Sequence, residues 1–296
     1  MQMQAVTAID RTLLQQWPLP VPDEQSDKNT RGSILIIGGS PETPGALLLA
    51  AQAALRSGVG RLRLATSQSL ALPIGIAIPE ARVVGLAETP GGEIAPDAAD
   101  QLADLANGVT AVLLGPGMLD QHALRALLER LLPQIKQPVL VLDAGALTAG
   151  VPLSTLGATH AGRLIVTPHA GEMAQLVGCE KAEVTANPQD MARRVAGECG
   201  AVVVLKGPGT WIADPSGRLY SYTEGHVGLA TSGSGDTLSG IVAGLAARKA
   251  TPIQAAAWGV YLHGEAGNRL AQRCGRIGFL ARELPHEIPR ILSDFD

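Results

Sequence analysis

Asp236 stands in the stretch GLATSGSGDTLSGIVAG, Gly228 to Gly244, where glycines and hydroxyl residues run into an apolar segment. Leu238, Ile241, Val242 and Leu245 fall at i, i+3, i+4 and i+7, the spacing of one buried helix face. Gly233, Ser234, Gly235 and Asp236 therefore sit at a helix N-terminus. There the first amides lack intrahelical partners and the helix dipole favours negative charge. Glycine lets a phosphate approach those amides closely, so Gly233, Ser234 and Gly235 are candidates for an anion hole. The stretch is not a Walker loop, because no Gly-Lys-Ser/Thr follows at the required spacing. A carboxylate beside a phosphate repels it. That cost makes sense where Asp236 takes a proton from a substrate hydroxyl while the amides hold the phosphoryl group in transfer. Read alone, the stretch fits an ordinary helix start equally well, with Asp236 offsetting the dipole.

The elements that must position such a group are short β-branched runs. SILIIGG (33–39), RLRLAT (61–66), TAVLLG (110–115), PVLVLD (138–143), RLIVTP (163–168) and AVVVLK (201–206) read as buried strands. Stretches of helical period lie between them at 44–57, 96–106, 119–135 and 188–199. Alternation of this kind predicts an α/β fold: a mostly parallel sheet covered by helices on both faces. WIADPSGRLYSY (211–222) reads as a small antiparallel hairpin turning at Asp214-Pro215-Ser216-Gly217. Thr251-Pro252-Ile253-Gln254 reads as the capped start of a further helix, with Gln254 completing a capping box. Trp258, Tyr261 and Leu262 belong to its apolar face. Residues 1–31 mix Pro, Gln, Asp and Lys and suggest an arm over the surface.

Ligands of parallel sheets bind beyond the carboxyl ends of the strands. Five of the runs end there in small, polar or turn-forming residues. These are Gly38-Gly39-Ser40, Gly115-Pro116-Gly117, Asp143-Ala144-Gly145, Thr167-Pro168-His169-Ala170-Gly171-Glu172 and Lys206-Gly207-Pro208-Gly209-Thr210. Five such loops on one rim describe a cleft. A carboxylate ending a buried strand is costly unless paired or placed at a site, which makes Asp143 a candidate for organising substrate or metal. Glu172 could cap the helix after His169 or help organise a metal through water.

The 296 residues are 46% apolar and 17% charged, with a net charge of -4, which gives no general reason to expect nucleic acid or an anionic membrane as partner. Cys179, Cys199 and Cys274 are odd in number and lack C-x-x-C spacing, the pattern of reduced thiols. The N-terminus shows no basic-then-apolar signal pattern and the apolar runs are too short to span a bilayer, so a cytoplasmic protein is expected. The histidines and acids form no H-E-x-x-H or similar set, so no tightly held structural metal is expected. His263 and Glu265 read as helix-surface or packing residues.

GSGD at the start of a late helix resembles the signature of the ribokinase-like superfamily. More narrowly, an ordered set of blocks resembles the ADP- or ATP-dependent (S)-NAD(P)H-hydrate dehydratases. The blocks are GSILIIGGSPETPGALLLAAQAALRSGVGRLRLAT, LLGPGM, VLDAGAL, IVTPHAGEMAQL, VVVLKGPGTWIADPSG, GLATSGSGDTLSGIVAGLAA and AWGVYLHGEAG, running from about Gly32 to about Gly267. The resemblance implies one ribokinase-like domain over 1–296, with 1–31 as its arm. It implies a repair lyase that phosphorylates the added hydroxyl of NADH hydrate or NADPH hydrate, after which phosphate elimination restores the dihydronicotinamide. ADP is the expected phosphoryl donor, ATP the other possibility, with Mg²⁺ arriving largely on the nucleotide.

By the same resemblance Asp236 is the catalytic base, and Ala46, Gly117, His169 and Asp236 meet the hydrate. Lys206, Gly207, Pro208, Gly209 and Thr210 line the AMP portion, and Gly235 touches the nucleotide. A homotetramer follows by analogy, and epimerisation of the hydrate falls to a separate protein. The chain departs from the family at Gly225-His226, usually Gly-Asn, at Ser232, usually glycine, and at Asp27-Lys28, usually His-Lys. Two rivals share parts of this pattern. A kinase of a small vitamin alcohol (hydroxymethylpyrimidine or thiazole type) would use the same GSGD chemistry, but GGSPETPGA and PHAGE favour the dehydratase. A catalytically silent nucleotide-binding protein would gain little from Asp236.

Overall fold

A computed structural model describes residues 6–21, 28 and 30–296; part of the predicted arm, including Asp27, lies outside the described residues. The strands are β1 (Val6–Ala8), β2 (Ser33–Ile37), β3 (Arg61–Ser67), β4 (Ala81–Leu86), β5 (Ala111–Leu114), β6 (Val139–Leu142), β7 (Leu164–Val166), β8 (Val202–Leu205), β9 (Thr210–Ala213) and β10 (Leu219–Tyr222). Among the described residues they form one sheet in the order β1-β10-β9-β8-β7-β6-β5-β2-β3-β4. Only β9 runs antiparallel to its neighbours, as the predicted hairpin requires.

The six predicted buried strands are β2, β3, β5, β6, β7 and β8. In β2, Ile34 and Ile36 face one core while Leu35 and Ile37 face the other, so both faces are covered. Strand β4 carries no period that sets it apart, because it lies at the sheet edge and is only partly buried. The arm does more than cross the surface. β1 adds a parallel edge strand on β10, and Leu14 is fully buried.

Gln254 corrects a second expectation. Its helix, Pro252–Cys274, starts after Thr251 with no side-chain cap. Instead Gln254 Nε2 donates to Pro18 O at 2.7 Å, and Trp258 Nε1 donates to Trp17 O at 2.9 Å. The amide that suited a capping box fastens the arm instead.

Chain order departs in opposite directions from β2, through β3 and β4 on one side and through β5 to β8 on the other. Between β2 and β5 lies the switch point where such sheets open a crevice. Two helices with their N-termini on this rim, Pro44–Arg56 and Ser234–Ala247, pack side by side. Their approach depends on glycine. A Cβ on Gly240 would stand 2.3 Å from Ala50 O, and one on Gly244 would stand 3.0 Å from Ala54 Cα. Gly240→Ala should therefore force the two helices apart. A loss of about 1–3 kcal/mol in urea unfolding is expected, accompanied by a lower turnover rate.

Candidate active site

The loops leaving β2 and β5 are stitched across the switch point. Gly39 N–H donates to Pro116 O at 2.8 Å, and Thr43 Oγ1 donates to Gly117 O at 3.0 Å. Gly117 has φ +70°, and a Cβ there would stand 3.0 Å from Ala46 Cβ. The structure thus brings Ala46 and Gly117 together beside the start of the GSGD helix, where Gly233 abuts Leu49.

The next three strands deliver a charged cluster. Asp143, 1% exposed at the end of β6, accepts from Thr167 Oγ1 at 2.8 Å and from Lys206 Nζ at 2.9 Å. The following Ala144 holds φ 48°, a conformation that costs a non-glycine residue on the order of 1–3 kcal/mol. Lys206 follows β8, and its ammonium also lies 3.7 Å from Glu172 Oε2. Burial pulls that ammonium down, but Asp143 and Glu172 outweigh burial and hold its pKa above the ordinary lysine value.

The GSGD helix starts over this cluster. Its N-cap is Gly233 at φ +84°, which offers no side chain to the first turn. The amide of Ser234 is taken by Thr231 O at 3.2 Å. Next come the amides of Gly235 and Asp236, which have no helical carbonyl upstream. A Cβ on Gly235 would lie 3.3 Å from Lys206 Nζ, so helix amides and ammonium converge on one place. Burial first, then the charge of Asp143, pushes the Asp236 carboxyl up to about 7, against the pull of Lys206. A carboxyl with that value is poised to exchange a proton near neutral pH.

His169 and Glu172 cap one another's helix, Ala170–Val177. His169 Nδ1 accepts from the amides of Gly171 and Glu172, and Glu172 Oε2 accepts from His169 N–H at 2.7 Å. With Nδ1 accepting, the ring proton belongs on Nε2.

A cavity of about 640 Å³ opens beside this cluster, within the range of a small-molecule site. Of the residues singled out from sequence, His169, Lys206, Gly207, Pro208, Thr210, Ser234 and Gly235 line it. Gly209 faces a smaller cavity of about 290 Å³ on the other side of the same loop. Ala46, Gly117, Asp143, Glu172, Gly233 and Asp236 do not line the larger cavity; they stand at the switch point, in the charged cluster and at the helix start.

A family model described as NAD(P)H-hydrate dehydratase matches residues 34–290. The chain belongs to the NAD(P)H-hydrate dehydratase family. It is 46% identical to the ADP-dependent (S)-NAD(P)H-hydrate dehydratase of Xanthomonas campestris over 97% of this chain and 96% of the relative. The ADP/ATP-dependent NAD(P)H-hydrate dehydratase of Bacillus subtilis, co-crystallised with ATP/Mg²⁺, matches in structure with a TM-score of 0.79 at 29% identity. That match covers 98% of this chain and 99% of the other. The bifunctional NAD(P)H-hydrate repair enzyme of Moorella thermoacetica is 38% identical over 94% of this chain, which spans 52% of that relative.

Two departures from the family pattern find their place here. His226 Nδ1 accepts from Gly228 N–H at 3.1 Å, the short-range capping bond an asparagine side chain would make. Ser232 is exposed at the turn before the helix.

The rest of the cavity wall was not assigned to a site from the sequence. It includes Tyr222, His226, Leu238, Val260, His263 and Gly264. His263, read as surface or packing, lines the cavity and touches Ser234. The signal was a His-Gly pair directly after the apolar run AAAWGVYL of its helix.

Two outcomes follow from the charged cluster. Lys206→Ala leaves Asp143 buried without its cation and should cost about 3–5 kcal/mol in denaturant unfolding, most of it recovered in an Asp143→Asn background. Asp236 holds its proton more tightly folded than unfolded, so ionising it between pH 3.8 and about 7 lowers stability. Asp236→Asn should therefore gain melting temperature over the parent as pH rises through that window, with the gain level above pH 7.

Proposed function

We propose that this chain is an ADP-dependent (S)-NAD(P)H-hydrate dehydratase, a repair lyase that returns NADH hydrate and NADPH hydrate to the reduced cofactors. The observation that carries the reading is one arrangement. A carboxyl poised near neutrality stands at an uncapped helix N-terminus, over a half-buried lysine, in a chain similar to such dehydratases along nearly its full length.

In this reading the Asp236 carboxylate takes the proton of the hydrate hydroxyl as its oxygen attacks the terminal phosphorus of ADP, releasing AMP. The amides of Gly235 and Asp236 and the Lys206 ammonium face the charge on the moving phosphoryl group. Elimination of that phosphate restores the ring double bond, so each hydrate yields one NADH, one phosphate and one AMP. Ala46 and Gly117 leave room at the switch point for the bulky dinucleotide, and His169 Nε2–H is a donor for it. Lys206, Gly207, Pro208, Gly209 and Thr210 run beside the AMP portion.

Among the described residues no three His, Cys, Asp or Glu side chains converge on a point that could hold a metal ion. Mg²⁺ would be carried largely by phosphate oxygens and water, and Asp143 and Glu172 would be the residues to organise that water. Bound in this way it would neutralise phosphate charge.

The proposal extends to a single domain over 1–296, to a homotetramer and to a cytoplasmic setting. None of the helices among the described residues is long and apolar enough to cross a membrane. In this reading hydrate epimerisation would fall to a separate protein. The vitamin-alcohol kinase has less support, since the relatives matched end to end are dehydratases.

The decisive assay mixes NADH hydrate, Mg²⁺ and ADP, with ATP in a parallel arm. NADH absorbance should return with one phosphate released per NADH, and kcat/KM should fall as pH drops below about 7. Asp236→Asn should lose on the order of 10²–10⁴ in turnover while still binding ADP. Phosphorylation of a hydroxymethylpyrimidine, with no return of NADH, would transfer the chain to the kinase reading.

A further inference from the structure

Ser234 opens the GSGD helix, and its amide is already committed to Thr231 O. What remains to it is a hydroxyl, on a side chain that lines the larger cavity together with Lys206 and Gly235. His263 reaches that hydroxyl from the neighbouring helix, Pro252–Cys274. Its Nε2 stands 2.9 Å from Ser234 Oγ and 3.1 Å from Ser234 O.

Those two distances select one tautomer. A bare Nε2 could accept from the hydroxyl, but its lone pair would then face the carbonyl oxygen at 3.1 Å. With the proton on Nε2, the same nitrogen donates to the carbonyl and to a lone pair of Oγ, and both contacts are favourable. The imidazole is neutral: burial pushes it down to about 4, the nearby Lys206 adds to that, and the contact with Ser234 opposes it. An Oγ that receives the imidazole N–H turns its own proton elsewhere, and the cavity that Ser234 lines is one such direction.

We propose that His263 is a positioning residue: by donating Nε2–H to Ser234, it turns the Ser234 hydroxyl into a side-chain donor for the phosphoryl group in transfer. The hydroxyl then joins the amides of Gly235 and Asp236 on the charge that develops there, and His263 acts only through it. This inference rests on the dehydratase reading above. Loss of one preorganised donor to such a charge costs on the order of 10²–10³ in turnover.

The test is a double-mutant cycle in the hydrate assay, with melting temperatures recorded for each protein. Ser234→Ala and His263→Ala should each lower kcat on the order of 100-fold, with KM for ADP within about threefold of the parent. The double variant should be no slower than Ser234→Ala alone, because the second substitution has nothing left to position. His263→Gln, whose amide nitrogen reaches the place of Nε2 and donates, should recover most of the rate.

Multiplying losses in the double variant, full kcat in Ser234→Ala, or a Gln variant no faster than the Ala variant would each overturn the proposal. Should His263→Ala fail to fold, His263→Leu, which fills the space without a donor, tests the same coupling in the parent and in the Ser234→Ala background. A parent protein that does not return NADH rejects the dehydratase reading itself. An active parent with uncoupled variants rejects this inference alone.

Discussion

The ammonium of Lys206, held between Asp143 and Glu172 and directly under Gly235, is the interaction on which the rest of the site depends. Three acids, Asp143, Glu172 and Asp236, act on this one cation. Without it Asp143 would be a desolvated carboxylate at a strand end, and the repulsion acting on Asp236 would go unopposed. With it, Asp143 has a cation partner, and the charge of Asp143, after burial, raises Asp236. The cation and the first helix amides also lie close enough to act together on a phosphate. A single charge thus ties the sheet rim together, acts on the carboxyl of Asp236 and lies beside the first amides of the proposed anion hole.

The backbone has to be equally exact where the helix bearing Asp236 meets the sheet. That helix packs against Pro44–Arg56 through Gly240 and Gly244, with no room for side chains between them. Because the two helices run the same way, their N-termini share a rim, and Ala46 lies near the start of one while Asp236 begins the other. The stitched loops after β2 and β5 hold Gly117 against Ala46 at the switch point. Strain at Ala144 and the crowding of Asp143 O against Gly115 belong to the same requirement: a carboxylate held at the end of a buried strand.

Much of this was legible in the residues. Periods of two and of 3.6, with small residues after each strand, were enough for the parallel sheet, the hairpin and the rim. Asp143 could be singled out because burying a carboxylate is costly, and Asp236 because an acid is awkward beside an anion cradle. The arm strand β1 and edge strand β4 carried no such pattern, since short edge strands bury too little to impose alternation. Gln254 and His226 show the opposite case. Their local chemistry was readable, but Gln254 found its partner in Pro18, 236 positions away, and His226 took over a cap that asparagine would make.

The buried strands, the candidate base and the family were therefore legible in the sequence itself, because periodicity and motif are local properties of the chain. The partners of Lys206, the raised pKa of Asp236, the rest of the cavity wall and the contact of His263 with Ser234 were decided only by the tertiary structure. Each depends on distances between groups far apart in the chain, and on how much water the packing leaves around them. Neither quantity is encoded in spacing.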